Sequence, residues 1–200
     1  MEARVGTAAL LLAVLGSVGP LPACAPQPKP ARVTSEFTEE DEALFDDGID
    51  FVADPAGLEG PWEADWHEEL EGRVAAADLI ATITIETIRS DRDLDRRETI
   101  HLVADVRDEI LGEAPDAQID LTVRETQSSF RSVQGNGRRI LNQPFVAFVK
   151  WREDARGNVR PRWHLAPATP SVVKQTRGLV DERREAPEQS SRRKVIIHHD

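Results

Sequence analysis

Hydrophobic and polar positions fall into clear strand patterns from Leu79 onward. Leu79-Ile80-Ala81-Thr82-Ile83-Thr84-Ile85-Glu86-Thr87-Ile88 is dominated by β-branched residues and holds no Gly or Pro. That predicts a strand buried on both faces for part of its length. A charged connection over 90–97 follows, and then Ile100, Leu102, Ala104 and Val106 alternate with His101, Asp105 and Arg107. Gly112 and Pro115 mark a turn, after which Ile119, Leu121 and Val123 alternate with Gln118, Asp120, Thr122 and Arg124. Successive strand side chains point to opposite faces, so both segments read as half-buried strands. Gln134-Gly135-Asn136-Gly137 is the strongest turn signal, because Asn and Gly tolerate the positive φ of a tight hairpin; the flanks 130–133 and 138–141 are expected to pair. Residues 145–151, from Phe145 to Trp151, form the most apolar strand, expected at the centre of the sheet. Gly157-Asn158 turns the chain into a last strand carrying Val159, Trp163 and Leu165.

Two segments read as helices. Residues 62–77 make a short one containing Trp66 and Leu70. Near the end, Thr169 is placed to cap, Pro170 suits a first helical position, and Val172, Val173, Thr176, Leu179 and Val180 share a face. The fold class expected is mainly β: a small five- or six-stranded OB-like barrel, or a curved antiparallel sheet, with a C-terminal helix. Over residues 73–182 the pattern resembles OB-type and netrin-like barrels. The resemblance is carried by Val74-Ala75-Ala76-Ala77-Asp78-Leu79, by Ile110-Leu111-Gly112 and by Pro144-Phe145-Val146-Ala147-Phe148-Val149. The cysteines of the netrin-like family are absent, so its inhibitory N-terminus does not transfer. Fold likeness alone assigns no function.

The N-terminus has a different character. Arg4 precedes a short apolar run over 8–18, Gly19-Pro20 breaks it, and Leu21-Pro22-Ala23-Cys24 ends with the chain's single cysteine. A weakly positive start, an apolar centre and a small residue before a cut site are the order of a secretory signal. The run is shorter than the roughly 20 residues that span a bilayer, and no later stretch is apolar enough to do so. Residues 21–24 resemble the lipobox of bacterial lipoprotein precursors. The resemblance implies cleavage before Cys24, a diacylglycerol on its sulfur and acylation of the new amino terminus. Ala25, rather than Asp, then points to the outer membrane of the cell envelope, on its periplasmic face, more than to the inner one. With Cys24 lipidated, no disulfide holds the fold.

Charge divides the rest of the chain. The formal net charge is −11, yet residues 33–72 contain fifteen Asp and Glu and no Lys or Arg; removing those fifteen negative charges leaves about +4 for the remainder. Residues 24–58, led by Pro26, Pro28 and Pro30, read as an acidic, largely disordered tether. Phe37, Leu44, Phe45, Ile49, Phe51 and Val52 lie within it, and the alternative is a segment that folds onto a partner or onto its own domain. The organisation expected is therefore a signal peptide over 1–23, the tether over 24–58, a β-barrel-like domain over 59–183 and a disordered tail over 184–200.

Candidate chemistry is sparse. None of His67, His101, His164, His198 and His199 has helical metal-ligand spacing, no nucleophile elbow occurs, and no glycine loop precedes a helix. No cofactor, metal or catalytic residue is expected. Two alternatives stand beside a binding or scaffolding role: an envelope hydrolase or metal-dependent enzyme, which would need His101 and His164 to converge with acids such as Asp105 or Glu125, and a structural accessory lipoprotein of an envelope assembly. The better candidate is a binding surface of Arg124, Arg131, Arg138, Arg139, Arg160 and Arg162, with Arg152 beside them. An exported, acidic protein is not expected to meet nucleic acid. The partners expected are the membrane, through lipid on Cys24, and an envelope protein. The charge asymmetry offers one more expectation: the acidic segment folds back over the arginine face.

Overall fold

The computed structural model of the chain describes residues 29–31 and 33–195. The signal peptide, Cys24, Arg32 and His198-His199 lie outside them. Six strands form one mixed sheet in the order β1-β6-β5-β2-β3-β4. They are β1 (Gly48–Ile49), β2 (Leu79–Arg92), β3 (Glu98–Leu111), β4 (Gln118–Arg124), β5 (Pro144–Glu153) and β6 (Val159–Pro167). All neighbours are antiparallel except β1, which runs parallel to β6 with Gly48 opposite His164 and Ile49 opposite Leu165.

The sheet is curled into a half-barrel. Register shifts at Ile80/Ala81, Thr82/Ile83 and Ile85/Thr87 bend the long β2–β3 pair, since each bulge adds local twist. Gly112, at φ 74°, closes the end of β3, and a Cβ there would collide with the Asp78 carbonyl oxygen. The curl brings β6 against β4 from the far side of the sheet: Trp163 Nε1 donates to Thr122 O at 3.2 Å. The two strands do not close into a ladder, so an open seam remains between them.

Both faces of the sheet are packed. The inner core gathers Ile83, Ile85, Leu102, Leu121, Val149 and Trp163, plugged by Phe130, Val133 and Ile140. On the outer face Ile80, Val146 and Phe148 are covered by Phe45, by Trp66, Leu70 and Val74 of α2 (Pro61–Ala76), and by Val172 and Val180 of α5 (Pro170–Val195). Burial on both sides explains why β2 begins as an unbroken apolar run. The Thr169 hydroxyl accepts from Val172 N at 3.2 Å, capping α5 as its sequence indicates.

Three expectations change. Residues 130–141 are not a hairpin: they form α3 (Phe130–Gly135) and α4 (Gly137–Ile140). Asn136 sits at φ −117°, not at the positive φ that a tight hairpin turn needs, so the turn signal joins two short helices. Phe130, Val133 and Ile140 then all reach the inner core, where period-two strands would divide them between faces. The acidic segment expected as a tether is folded from Thr38 on. Thr38 and Asp41 make a capping box for α1 (Glu39–Leu44), β1 joins the sheet, Phe45 is 0% exposed, and Pro55–Gly57 forms a 3₁₀ turn. Phe45 and Ile49 are buried, Phe37, Leu44 and Phe51 pack partly buried against the two cores, and the segment's acids meet cations. Third, α5 continues to Val195, into the stretch expected to be a tail. Arg183 Nη1 donates to Val74 O (2.7 Å) and Ala77 O (3.0 Å), and Arg184 Nη2 donates to Ile110 O (2.9 Å), which fastens the helix where the domain was expected to end. Among the described residues no helix is long and apolar enough to cross a membrane.

Candidate functional site

The outer face carries an unusual stack of like charges. On β5 and β6, Lys150 stands directly opposite Arg162, and Arg152 directly opposite Arg160. Residues two apart share a face, so four cations occupy two adjacent cross-strand rungs. Like charges in that position repel and need anions close by.

The acidic segment supplies anions to the first rung. Lys150 Nζ, whose side chain is 3% exposed, lies 3.7 Å from Asp41 Oδ2 and donates to Ser35 Oγ (2.7 Å) and Ala76 O (3.2 Å). Arg162 donates through Nε (3.2 Å) and Nη2 (3.0 Å) to Phe45 O, and its Nη1 lies 3.3 Å from Asp47 Oδ2. Next along β6, His164 Nδ1 bonds Asp46 Oδ1 at 2.9 Å, while Nε2 sits 3.2 Å from Asp50 Oδ2, an ion pair off the line of a good hydrogen bond. Burial opposes a charge on His164, but its hydrogen bond to Asp46 and its close contact with Asp50 outweigh burial and the repulsion of Arg73, and its pKa is raised. Burial alone would raise Asp46 and Asp50; the same imidazolium holds both below the ordinary carboxylate range.

Asp47 joins this strap to the seam. It has φ 56° and is 2% exposed. Its Oδ1 accepts from Trp163 N at 3.0 Å, its Oδ2 accepts from Gln127 Nε2, and its own N–H donates to Trp163 O at 2.8 Å. Burial pushes its carboxyl up to about 6; Arg162, the Trp163 N–H and Gln127 pull the other way without winning, and Asp46 adds to the rise.

The second rung is less covered. Arg152 Nη1 is 3.3 Å from Glu42 Oε1 and Arg160 Nε is 3.6 Å from Asp154 Oδ2, with both guanidinium groups about half exposed. Arg124, across the seam, makes no side-chain ion pair among the described residues. Arg124, Arg152, Arg160 and Arg162 line one cleft of about 470 Å³, with Asp47, Gln127 and Asp154 on its walls. Asp154 is fixed by the N–H groups of Arg156 and Asn158 at 2.9 Å each. Those bonds, the Asn158 amide and Arg160 lower its pKa to about 2, so it is a permanent anion at the rim.

Several main-chain groups facing the seam are already occupied or missing. Pro161 has no N–H, Trp163 N–H is taken by Asp47, Thr122 O by the Trp163 indole, and Arg124 N–H by Gln127 Oε1. Proline and local caps of this kind stop a strand from adding to an edge. Binding in the cleft therefore falls to the guanidinium groups.

Of the six arginines expected to form one surface, the fold brings Arg124, Arg160 and Arg162 together. Arg131, Arg138 and Arg139 sit apart on α3 and α4, where Arg139 Nη2 donates to Phe51 O (2.8 Å) and its guanidinium lies 4.7 Å over the Phe51 ring. The two histidines of the enzyme reading share no partner. His101 pairs with Asp120 (3.0 Å) and Asp91 (3.3 Å) on the β2–β3–β4 side, and His164 with the strap. Among the described residues no three His, Cys, Asp or Glu side chains are grouped to hold a metal. Asp47, Gln127, Lys150 and Asp154 were not legible as site residues. The one available signal was the interleaving of Phe45 and Ile49 with acids, which marks a segment able to pack. No family model matches the chain, and neither the curated proteins nor the solved structures contain a detectable match.

Proposed function

We propose that this chain is a lipid-anchored cell-envelope protein of binding or scaffolding type, without catalytic chemistry, and that its arginine-lined seam takes an anionic ligand. The observation that carries the reading is the convergence of Arg124, Arg152, Arg160 and Arg162 on one cleft, with Arg152 and Arg160 directly opposed. Guanidinium forks match carboxylate and phosphate oxygens bidentately. The ion pairs an incoming anion would displace are exposed, and such pairs contribute at most about 1 kcal/mol each. An open seam in a curled, OB-like sheet gives such a ligand a place flanked by strands on two sides. The anchor half of the reading rests on Leu21-Pro22-Ala23-Cys24.

Two measurements test the two halves. Citrate, a compact carboxylate anion, should raise the thermal midpoint of the purified chain, by about 2.7 kcal/mol of stability at a hundred times its dissociation constant. The shift should vanish in the Arg124→Gln, Arg160→Gln double variant; an equal shift in that variant would place anion binding elsewhere. In cells, Cys24→Ala should abolish fatty-acid labelling and membrane retention, and labelling that survives the substitution would sink the anchor.

A further inference from the structure

Resting on the anion-binding reading of the seam, we infer that its occupant is an acidic peptide segment of a partner protein, carrying an aromatic residue among its carboxylates. The chain contains its own template for this recognition. Phe37 lies beneath two of the cleft's arginines, 5.0 Å from the Arg152 guanidinium and 5.8 Å from that of Arg162. Glu42 pairs with Arg152 and Asp47 with Arg162, from the same segment as Phe37. Phe51 repeats only the ring half of this arrangement, under Arg139 on α4 and apart from the cleft. This arginine surface is thus read, within the molecule, by a phenyl ring under the guanidinium plane and a carboxylate at its edge. A cation over an aromatic face and a carboxylate on its N–H groups satisfy an arginine together.

The template fills only part of the surface. Among the described residues Arg160 pairs with Asp154 alone, a rim residue of its own turn, Arg124 has no ion pair, and neither side chain hydrogen-bonds or ion-pairs with the strap. A partner segment of the strap's chemistry would continue where the strap stops, over Arg160 and Arg124. Because Pro161 and the caps of the seam leave few main-chain donors free, the segment is held by its side chains and not as an added strand. That separates it from ligands recognised through backbone pairing. The ring contacts separate it from a bare phosphate or a lipid headgroup, which offers charge but no aromatic face.

The experiment uses the purified chain and a labelled synthetic peptide of sequence Glu-Asp-Glu-Phe-Glu-Asp-Glu, with a Ser-for-Phe peptide, inorganic phosphate and phosphatidylglycerol vesicles as parallel probes. The expected result is peptide binding weakened about tenfold by Arg124→Gln and by Arg160→Gln, as for loss of a charged hydrogen bond. The Ser peptide should bind about two- to fivefold more weakly than the Phe peptide. Arg107→Gln, on the far part of the sheet and paired with Glu86, should change neither. Peptide binding that ignores both Arg124→Gln and Arg160→Gln, or that is equal for Phe and Ser, overturns the inference. So does phosphate or vesicle binding through Arg124 and Arg160 without peptide binding, although that outcome leaves the anion-binding cleft standing. If no probe binds through these arginines, both readings fall.

Discussion

Asp47 is where the competing forces in this protein meet most sharply. It is a carboxylate held out of water, serving as a backbone mimic for Trp163 and as the counter-ion of Arg162. With its pKa pushed from 3.8 up to about 6, the folded state binds its proton more tightly than the unfolded chain between those values. Stability therefore falls as pH rises through that window, by roughly 3 kcal/mol, and the deficit persists above it. His164 acts in the same direction at higher pH. Its raised pKa makes its contribution fully present below about 6.5 and lost as pH climbs through the folded value. Asp46 and Asp50, both lowered, contribute above 3.8 and lose that contribution as pH falls through their folded values. All four directions place greatest stability in mild acid. The thermal midpoint should fall between pH 5 and pH 8, and Asp47→Asn should remove the part of the fall below about pH 6 while keeping the part due to His164. A wild-type midpoint that stays level across this range would contradict the buried strap.

The same long-range contacts explain what the sequence hid at the scale of elements. Strands β3 and β4 were legible because each has one wet face, so alternation alone sets their direction. The start of β2 was legible through its β-branched residues, although only the structure shows that Ile80 and Ile83 enter different cores. Local signals failed where they are shared between alternatives. Gln134-Gly135-Asn136-Gly137 breaks the chain equally well between helices and between strands, and the choice is made by Phe130, Val133 and Ile140 plugging the half-barrel. The segment around α1 and β1 misleads for a related reason. Its composition is that of a solvated spacer, and the cations that neutralise it lie about a hundred residues later, on β5 and β6. The arginines of the cleft were readable for the same physical reason as the strands: Arg124, Arg152, Arg160 and Arg162 stand on strand positions that alternation places. Arg131, Arg138 and Arg139 lie instead on α3 and α4, where the flanks 130–133 and 138–141 do not pair as strands.

For the whole molecule, a folded strap changes how the body would sit on a membrane. A disordered stretch from Cys24 to residue 58 would hold the domain roughly 30 Å from its anchor on average, as a flexible coil. Instead Lys29 N already donates to Pro115 O at 2.9 Å, and its Nζ lies 3.3 Å from Glu113. Five residues from Cys24 to Lys29 reach at most about 18 Å. An anchored chain would thus carry its β3–β4 turn close to the bilayer. The net charge of −11 takes a different meaning as well. Asp41, Glu42, Asp46, Asp47 and Asp50 lie against Lys150, Arg152, Arg162 and His164, and Asp47 lines the cleft. The anion site, the partner peptide and the membrane geometry all depend on that strap being part of the domain. Amide hydrogen exchange on the full chain tests it most directly. The N–H groups of Phe45, Asp47 and Asp50 are bonded to Asp41 O, Trp163 O and Leu165 O, and they should be protected as strongly as the amides of β5 and β6. Exchange of those three at free-chain rates, with β5 and β6 still protected, would show a spacer rather than a strap and would contradict the account.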